Sequence, residues 1–171
     1  MLRHVAALVV SSVVLLGAGS GDPWLRMRPM SDSFVVSVPN VMQRHEDVTT
    51  VPWGRQSTVI YQVEKGFGSY AVVYAEYPRE FIEAVDLQKL FDAQQANIVP
   101  GTRSDVLSVQ PIQKHARTAR EVVFHSDDGK RLNIAQIVLS GRRLYTLLGT
   151  TVRPGLEDKE IRRFLDSFEF R

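Results

Sequence analysis

Several stretches of this chain alternate apolar and polar positions with a period of two, the mark of half-buried strands. Phe34, Val36 and Val38 fall on one side of the run 33–38, and Pro39-Asn40 stops it. Thr58–Glu64 and Ser69–Tyr77 flank the four-residue loop Lys65-Gly66-Phe67-Gly68, which predicts a hairpin. Pairing through that loop sets Val63 opposite Tyr70, Tyr61 opposite Val72 and Val59 opposite Tyr74. Aromatic and β-branched partners of this kind favour one register. Further on, Thr118–Ser126, Arg131–Leu139 and Arg142–Thr151 read as a meander with Asp128-Gly129 and Ser140-Gly141 as its two-residue turns. These turns place Glu121 opposite Gln136 and Gln136 opposite Tyr145. One face of the meander then carries Val122, Phe124, Ala135, Ile137, Leu144 and Leu148. The other carries Val123, Leu132, Ile134, Val138, Tyr145 and Leu147. An antiparallel sheet usually keeps one face wet, but this one is apolar on both and needs two covers.

Two segments with helical spacing can supply them. Asp86 is an N-cap residue ahead of Leu87, Leu90, Phe91 and Ile98, which share one stripe, interrupted by Gln94. Pro100-Gly101 ends that helix. Ile161, Phe164, Leu165 and Phe168 follow the i, i+3, i+4, i+7 pattern, with Glu157, Asp158, Arg162, Arg163 and Asp166 around them. The acids of this second helix begin in its first turn, where the helix dipole favours them. The fold class expected is α+β: a three-layer α/β/α sandwich around a central, mainly antiparallel sheet of about six to seven strands. Residues 41–56 are polar and irregular, with Pro52-Trp53-Gly54 as a turn, and residues 21–32 form an aperiodic linker.

The N-terminus is of a different kind. Met1-Leu2-Arg3-His4 is a short positive segment, and Val5 to Ala18 is an almost unbroken apolar run. As a helix that run is roughly 21 Å long, against about 30 Å for a bilayer core. Ala18-Gly19-Ser20 then supplies the small residues a signal peptidase reads, with cleavage after Ser20; an uncleaved anchor is the other reading. Either way the folded part is expected outside the cytoplasm, and the domains are a signal peptide at 1–20, a linker at 21–32 and one folded domain at 33–171. The 171 residues contain no cysteine, which excludes disulfides, thiolate metal sites and a thiol nucleophile. The formal net charge of +2 falls to +1 without Arg3. Residues 21–100 hold 7 bases and 10 acids, and residues 101–171 hold 13 and 9. That tilt is too mild for the concentrated basic stripe of a nucleic-acid binder.

Candidate chemistry is sparse. Glu121, Gln136 and Tyr145 are expected side by side on an otherwise apolar face. They read either as a polar spot in a ligand cleft, with Glu121 an elevated-pKa carboxyl, or as a buried carboxyl satisfied by its neighbours. His45 precedes Glu46-Asp47 and His125 precedes Asp127-Asp128, but these and His115 show no metal-ligand spacing. No metal and no cofactor is expected. Gly66-Phe67-Gly68 lacks the third glycine and following helix of a dinucleotide fingerprint, and Ser69 is not in a nucleophile elbow. Trp24, Trp53 and Phe67 are aromatic residues in tether, loop and hairpin tip, and a cluster of them at one loop end would mark a partner site. Arg142 and Arg143, with Arg117, Lys130 and Arg131 nearby in the meander, could meet an anionic headgroup or an acidic partner, or form a solvated rim.

The run Ala119-Arg120-Glu121, the Asp128-Gly129 turn and Gly141-Arg142-Arg143-Leu144-Tyr145 resemble the PsbP-like fold family. So do the opening Phe34-Val35-Val36-Ser37-Val38-Pro39 and the closing Phe164-Leu165-Asp166-Ser167-Phe168. The resemblance spans residues 33–171 through turn and core positions. The family includes the extrinsic photosystem II protein, a Ran-binding nuclear import factor and exported bacterial proteins. It implies a non-catalytic binding or assembly module and carries no particular partner over. The expectation is therefore an exported, monomeric, non-enzymatic module that recognises a protein or envelope component. It would meet a membrane only through an uncleaved leader or by peripheral contact. The alternative is a small-molecule or lipid carrier, or a hydrolase, with a cleft around Glu121, Gln136 and Tyr145.

Overall fold

A computed structural model describes residues 24–30, 32–99, 101–152 and 156–171. The leader at 1–20, with Ser20, lies outside the described residues, as do 21–23 of the expected linker and Pro100. Among the described residues ten strands and three α-helices follow one another: β1 (Leu25–Met27), β2 (Phe34–Val38), β3 (Gln43–Val51), β4 (Gly54–Lys65), β5 (Gly68–Glu76), α1 (Arg79–Ala84), α2 (Leu87–Ile98), β6 (Asp105–Lys114), β7 (Arg117–Ser126), β8 (Arg131–Ser140), β9 (Arg143–Thr151), α3 (Leu156–Asp166) and β10 (Glu169–Phe170). The class is α+β. Seven strands form an antiparallel sheet in the order β3-β4-β5-β9-β8-β7-β6, and β1, β2 and β10 form a small second sheet. The last strand of the meander, β9, inserts between β5 and β8, so it joins the two hairpin systems into one sheet.

The registers follow from the turns. The β4–β5 hairpin sets Val63 against Tyr70, Tyr61 against Val72 and Val59 against Tyr74, as the alternation predicts. Across β7 and β8, Glu121 lies opposite Gln136, again as expected. The β8–β9 turn differs. Ser140 pairs with Arg143, so the two central residues are Gly141 and Arg142, and Tyr145 falls opposite Val138 instead of Gln136. The reason is backbone geometry: tight hairpin turns of either favoured type need a positive φ at their first central residue. Gly141 supplies it, at φ 60°, where Ser140 would be strained. The shift is two residues, and side chains alternate with period two, so every face assignment survives.

Those faces bury two separate apolar sets. In one, Phe34, Val36 and Val38 of β2 pack with Tyr61, Tyr70, Tyr145 and Leu147 of the large sheet and with Ile161, Phe164, Leu165 and Phe168. The last four are fully buried, though Phe168 stands just beyond the end of α3. In the other, Leu90 and Phe91 of α2 pack with Val122, Phe124, Ile137 and Leu144, flanked by Phe81 and Leu148. Asp86 caps α2 as expected, accepting from the amides of Gln88 (2.8 Å) and Lys89 (3.0 Å). Gln94, the polar break in the apolar stripe, donates to the buried Thr146 hydroxyl (2.9 Å). A polar pair inside the interface keeps both groups satisfied.

Three segments depart from expectation. Residues 43–51, expected to be irregular, are an edge strand whose side chains are exposed at all but the last position, so no burial period marks them. The aperiodic 21–32 stretch contains β1, which pairs with β2 from Leu25↔Val38 to Met27↔Val36. At the opposite edge of the large sheet, β6 reaches β7 through His115-Ala116, both at positive φ (49° and 61°). Neither residue signals a tight turn the way Asn-Gly does.

Candidate functional site

One end of the large sheet gathers charge from distant parts of the chain. There β5 finishes at Glu76, directly opposite Arg143 at the start of β9. Arg142, in the adjoining turn, carries a carbonyl that accepts from the Tyr77 amide (2.9 Å). Both arginines converge on one carboxylate: Arg142 Nη2 donates to Glu76 Oε1, and Arg143 Nε donates to Oε2 (3.1 Å). Arg143 also lies 3.6 Å from the Asp32 carboxylate and packs over the Tyr74 ring at 4.9 Å. Asp32 comes from the segment joining β1 to β2, and its side chain is only 3% exposed. Its two oxygens accept from the hydroxyls of Tyr61 (2.5 Å) and Tyr74. A buried carboxylate needs such partners, because desolvating it without them is costly.

The electrostatics are settled by the same contacts. Burial works against the Arg143 charge, but its hydrogen bonds to Tyr145 and Glu76 outweigh that and hold the guanidinium protonated above its ordinary range. Burial pushes the Tyr145 hydroxyl up, opposed in part by Arg143. Burial and the hydrogen bond to Asp32 raise Tyr74. At neutral pH these tyrosines are therefore neutral beside a permanent cation, Tyr74 donating to Asp32 and Tyr145 accepting from Arg143. A cleft of about 220 Å³ opens over this cluster, walled by Ser33, Glu76, Ser140, Arg142, Arg143 and Tyr145. Phe170 and Arg171 also line it, and the Arg171 amide donates to the Ser33 carbonyl (2.9 Å). Such an arrangement fixes positive charge and hydrogen-bond donors around a small opening.

Of the residues singled out from sequence, Arg142, Arg143 and Tyr145 meet here. Glu121 and Gln136 do not. Gln136 Nε2 donates to Glu121 (3.0 Å), and Arg162 of α3 donates to the same carboxylate oxygen (2.5 Å). The elevated pKa that the cleft reading gives Glu121 is reversed. Burial does raise it, but the bonds from Arg162 and Gln136 more than cancel that and hold the carboxyl below its usual range. The three-residue row itself is broken by the β8–β9 register, since Tyr145 sits opposite Val138. Gln136 Oε1 is buried with no hydrogen-bond partner, and neither Glu121 nor Gln136 lines the cleft.

The aromatic residues are also dispersed. Trp53, in the β3–β4 turn, packs on Phe81 (4.6 Å between ring centres) and Tyr77 (5.9 Å). Phe67 stands at the β4–β5 turn, so the twelve residues of β4 separate the two, roughly 36 Å of extended strand. Trp24 packs edge-on against Tyr70 (5.5 Å). The basic residues divide the same way: Lys130 and Arg131 adjoin the β7–β8 turn, while Arg142 and Arg143 adjoin the β8–β9 turn at the other end of β8. His45 pairs with Asp47 on an exposed strand (2.8 Å), and His115 donates from Nε2 to the Phe168 carbonyl (2.5 Å). Among the described residues no group of three or more His, Asp or Glu side chains is placed to hold a metal ion.

Sequence reasoning missed Asp32, Ser33, Glu76, Ser140, Phe170 and Arg171. Asp32 lay in the supposed linker, and Glu76 was one polar residue at a strand end. The available signal was parity at a strand end. A β5–β9 pairing that buried Tyr70, Val72 and Tyr74 beside Tyr145 and Leu147 would have brought Glu76 to Arg143.

The chain has the PsbP-like α+β fold. It is similar to cyanobacterial PsbP (CyanoP) from Synechocystis sp. PCC 6803, with a TM-score of 0.55 and 14% identity over 91% of this chain and 98% of that one. It is also similar, at TM-score 0.48 and 11% identity over 88% and 99%, to PA94 from Pseudomonas aeruginosa, a protein of unknown function described as a putative regulator. No family model matches the chain, nor does any curated protein sequence. No helix among the described residues is long and apolar enough to cross a membrane.

Proposed function

We propose that this protein is an exported, non-catalytic binding or assembly module that recognises an acidic group on a protein or envelope partner at the cleft beside Arg142 and Arg143. Its architecture reads as a three-layer α/β/α sandwich, with α2 and α3 each covering one apolar set of the sheet, followed from an N-terminal signal peptide at 1–20 by a short linker and one domain. It acts as a monomer, and the rigid sheet presents the cleft at its end. The observation that carries this reading is the convergence of two arginines on one carboxylate at the mouth of a cleft also walled by Arg171. Paired guanidiniums with fixed donors suit recognition of an anionic oxygen group. The extracytoplasmic placement is supported by the charged and apolar N-terminal pattern. Native mass spectrometry of protein isolated from its own cell envelope tests it. An acidic partner or ligand retained by the natural chain and lost from Arg142→Ala is the expected result. Retention unchanged in Arg142→Ala refutes the cleft as the recognition site.

A further inference from the structure

Building on that reading of the cleft, we infer that the acidic group it takes is a phosphate, and that Glu76 occupies the site as an internal competitor for it. A carboxylate is planar, carries one charge and has two acceptor oxygens. In Glu76 one oxygen takes Arg142 and the other takes Arg143. The cleft offers more than that. Arg171, Ser33 and Ser140 line the same opening, and none of them is used by Glu76. A tetrahedral phosphate, with more oxygens and up to two charges at neutral pH, can engage the arginine pair and these further donors together. The volume of about 220 Å³ lies below the roughly 300–1,000 Å³ of sites that enclose drug-sized ligands. It suits a phosphate with a small substituent, such as a glycerophosphate group. That group could come from a lipid headgroup or from a soluble phosphate ester.

Glu76 gives the inference its sign. Its side chain is 39% exposed, and that of Arg142 is 54% exposed with Glu76 as its only ion-pair partner among the described residues. A phosphate must displace this carboxylate or share its arginines against like-charge repulsion. Glu76→Gln removes the competing charge and leaves the arginines in place, so it strengthens phosphate binding. Arg142→Ala weakens it. Arg143 is left alone because it also anchors the buried Asp32.

The test uses the full chain at constant ionic strength, since exposed charges are screened by salt. Titration calorimetry with inorganic phosphate and with glycerol 1-phosphate is run on the natural chain, Glu76→Gln and Arg142→Ala, each shown folded by circular dichroism. Flotation with phosphatidylglycerol vesicles, against phosphatidylcholine vesicles, separates a lipid source from a soluble one. The expected result is about tenfold tighter phosphate binding by Glu76→Gln and about tenfold weaker binding by Arg142→Ala. Preference for anionic vesicles over glycerol 1-phosphate, or the reverse, then identifies the source. Phosphate affinity unchanged or reduced in Glu76→Gln overturns the competitor role. An Asp/Glu peptide bound in an Arg142-dependent way, with no phosphate bound by any variant, overturns the phosphate and leaves the acidic-partner reading standing. Neither probe bound by any variant overturns both.

Discussion

At Gly149 the large sheet takes the Ile161 side chain of α3 against its backbone, and this makes the docking of that helix measurable. Gly149 lies in β9 between Tyr70 of β5 and Ile134 of β8. A Cβ added there would stand 2.5 Å from Ile161 Cγ2, 3.0 Å from Cγ1 and 3.1 Å from Cβ. Ile161 is fully buried, and a β-branched side chain in a helix has essentially one χ1 rotamer, so it cannot swing aside. Gly149→Ala therefore forces α3 outward. Overpacking of this kind costs about 1–3 kcal/mol, offset by up to about 1 kcal/mol from the stiffer unfolded chain. Ile161→Ala alone creates a cavity and costs about 2–5 kcal/mol. The double variant removes both Cγ atoms that clash, so its cost falls short of the sum by about 1–2 kcal/mol, within the usual range for residues in contact. Urea denaturation followed by circular dichroism measures all four corners of the cycle, with a common m-value as the check on two-state behaviour. Costs that add to within about 0.5 kcal/mol would refute the packing of Ile161 on Gly149, and with it the seating of α3 on β9.

Two further outcomes follow from electrostatics and backbone strain. Glu121 has its carboxyl held below the usual range when folded, so its stabilising contribution is present above the unfolded value of about 4.5 and is lost as pH falls through the folded one. Glu121→Gln should cost about 1–3 kcal/mol at neutral pH and flatten the acid side of the stability profile. Equal acid slopes for the two proteins in urea melts between pH 2 and about 6 would show that Arg162 and Gln136 do not hold the carboxylate. Ala116 occupies a left-handed conformation at φ 61° in the β6–β7 turn, where glycine has no Cβ penalty. Ala116→Gly should stabilise by about 0.5–1 kcal/mol, read as a higher Tm, and a lower Tm contradicts the assigned turn.

How much of this was legible depends on whether neighbours in the fold were neighbours in the chain. The meander is built from local turns, so its two apolar faces could be read directly, and so could the need for helices over them. One turn was misplaced by one residue, which displaced pairing by two. The faces survived because alternation has period two, yet the row of Glu121, Gln136 and Tyr145 did not, because a row depends on absolute register. β3 was unreadable for a different reason: an edge strand exposed on nearly every side chain has no apolar alternation to show. β6 was hidden by its His-Ala turn. The cleft required the least local information of all. Glu76 and Arg143 are adjacent only because β9 enters the sheet between β5 and β8, a pairing that no short-range turn specifies. Once β9 takes that place, the β8–β9 turn must lie at the end of β5. A turn carrying two arginines then meets the acid that terminates β5. The same insertion carries Tyr145 alongside Tyr74 (5.3 Å between ring centres), so the aromatic floor under Asp32 and the cationic rim above it have one topological cause.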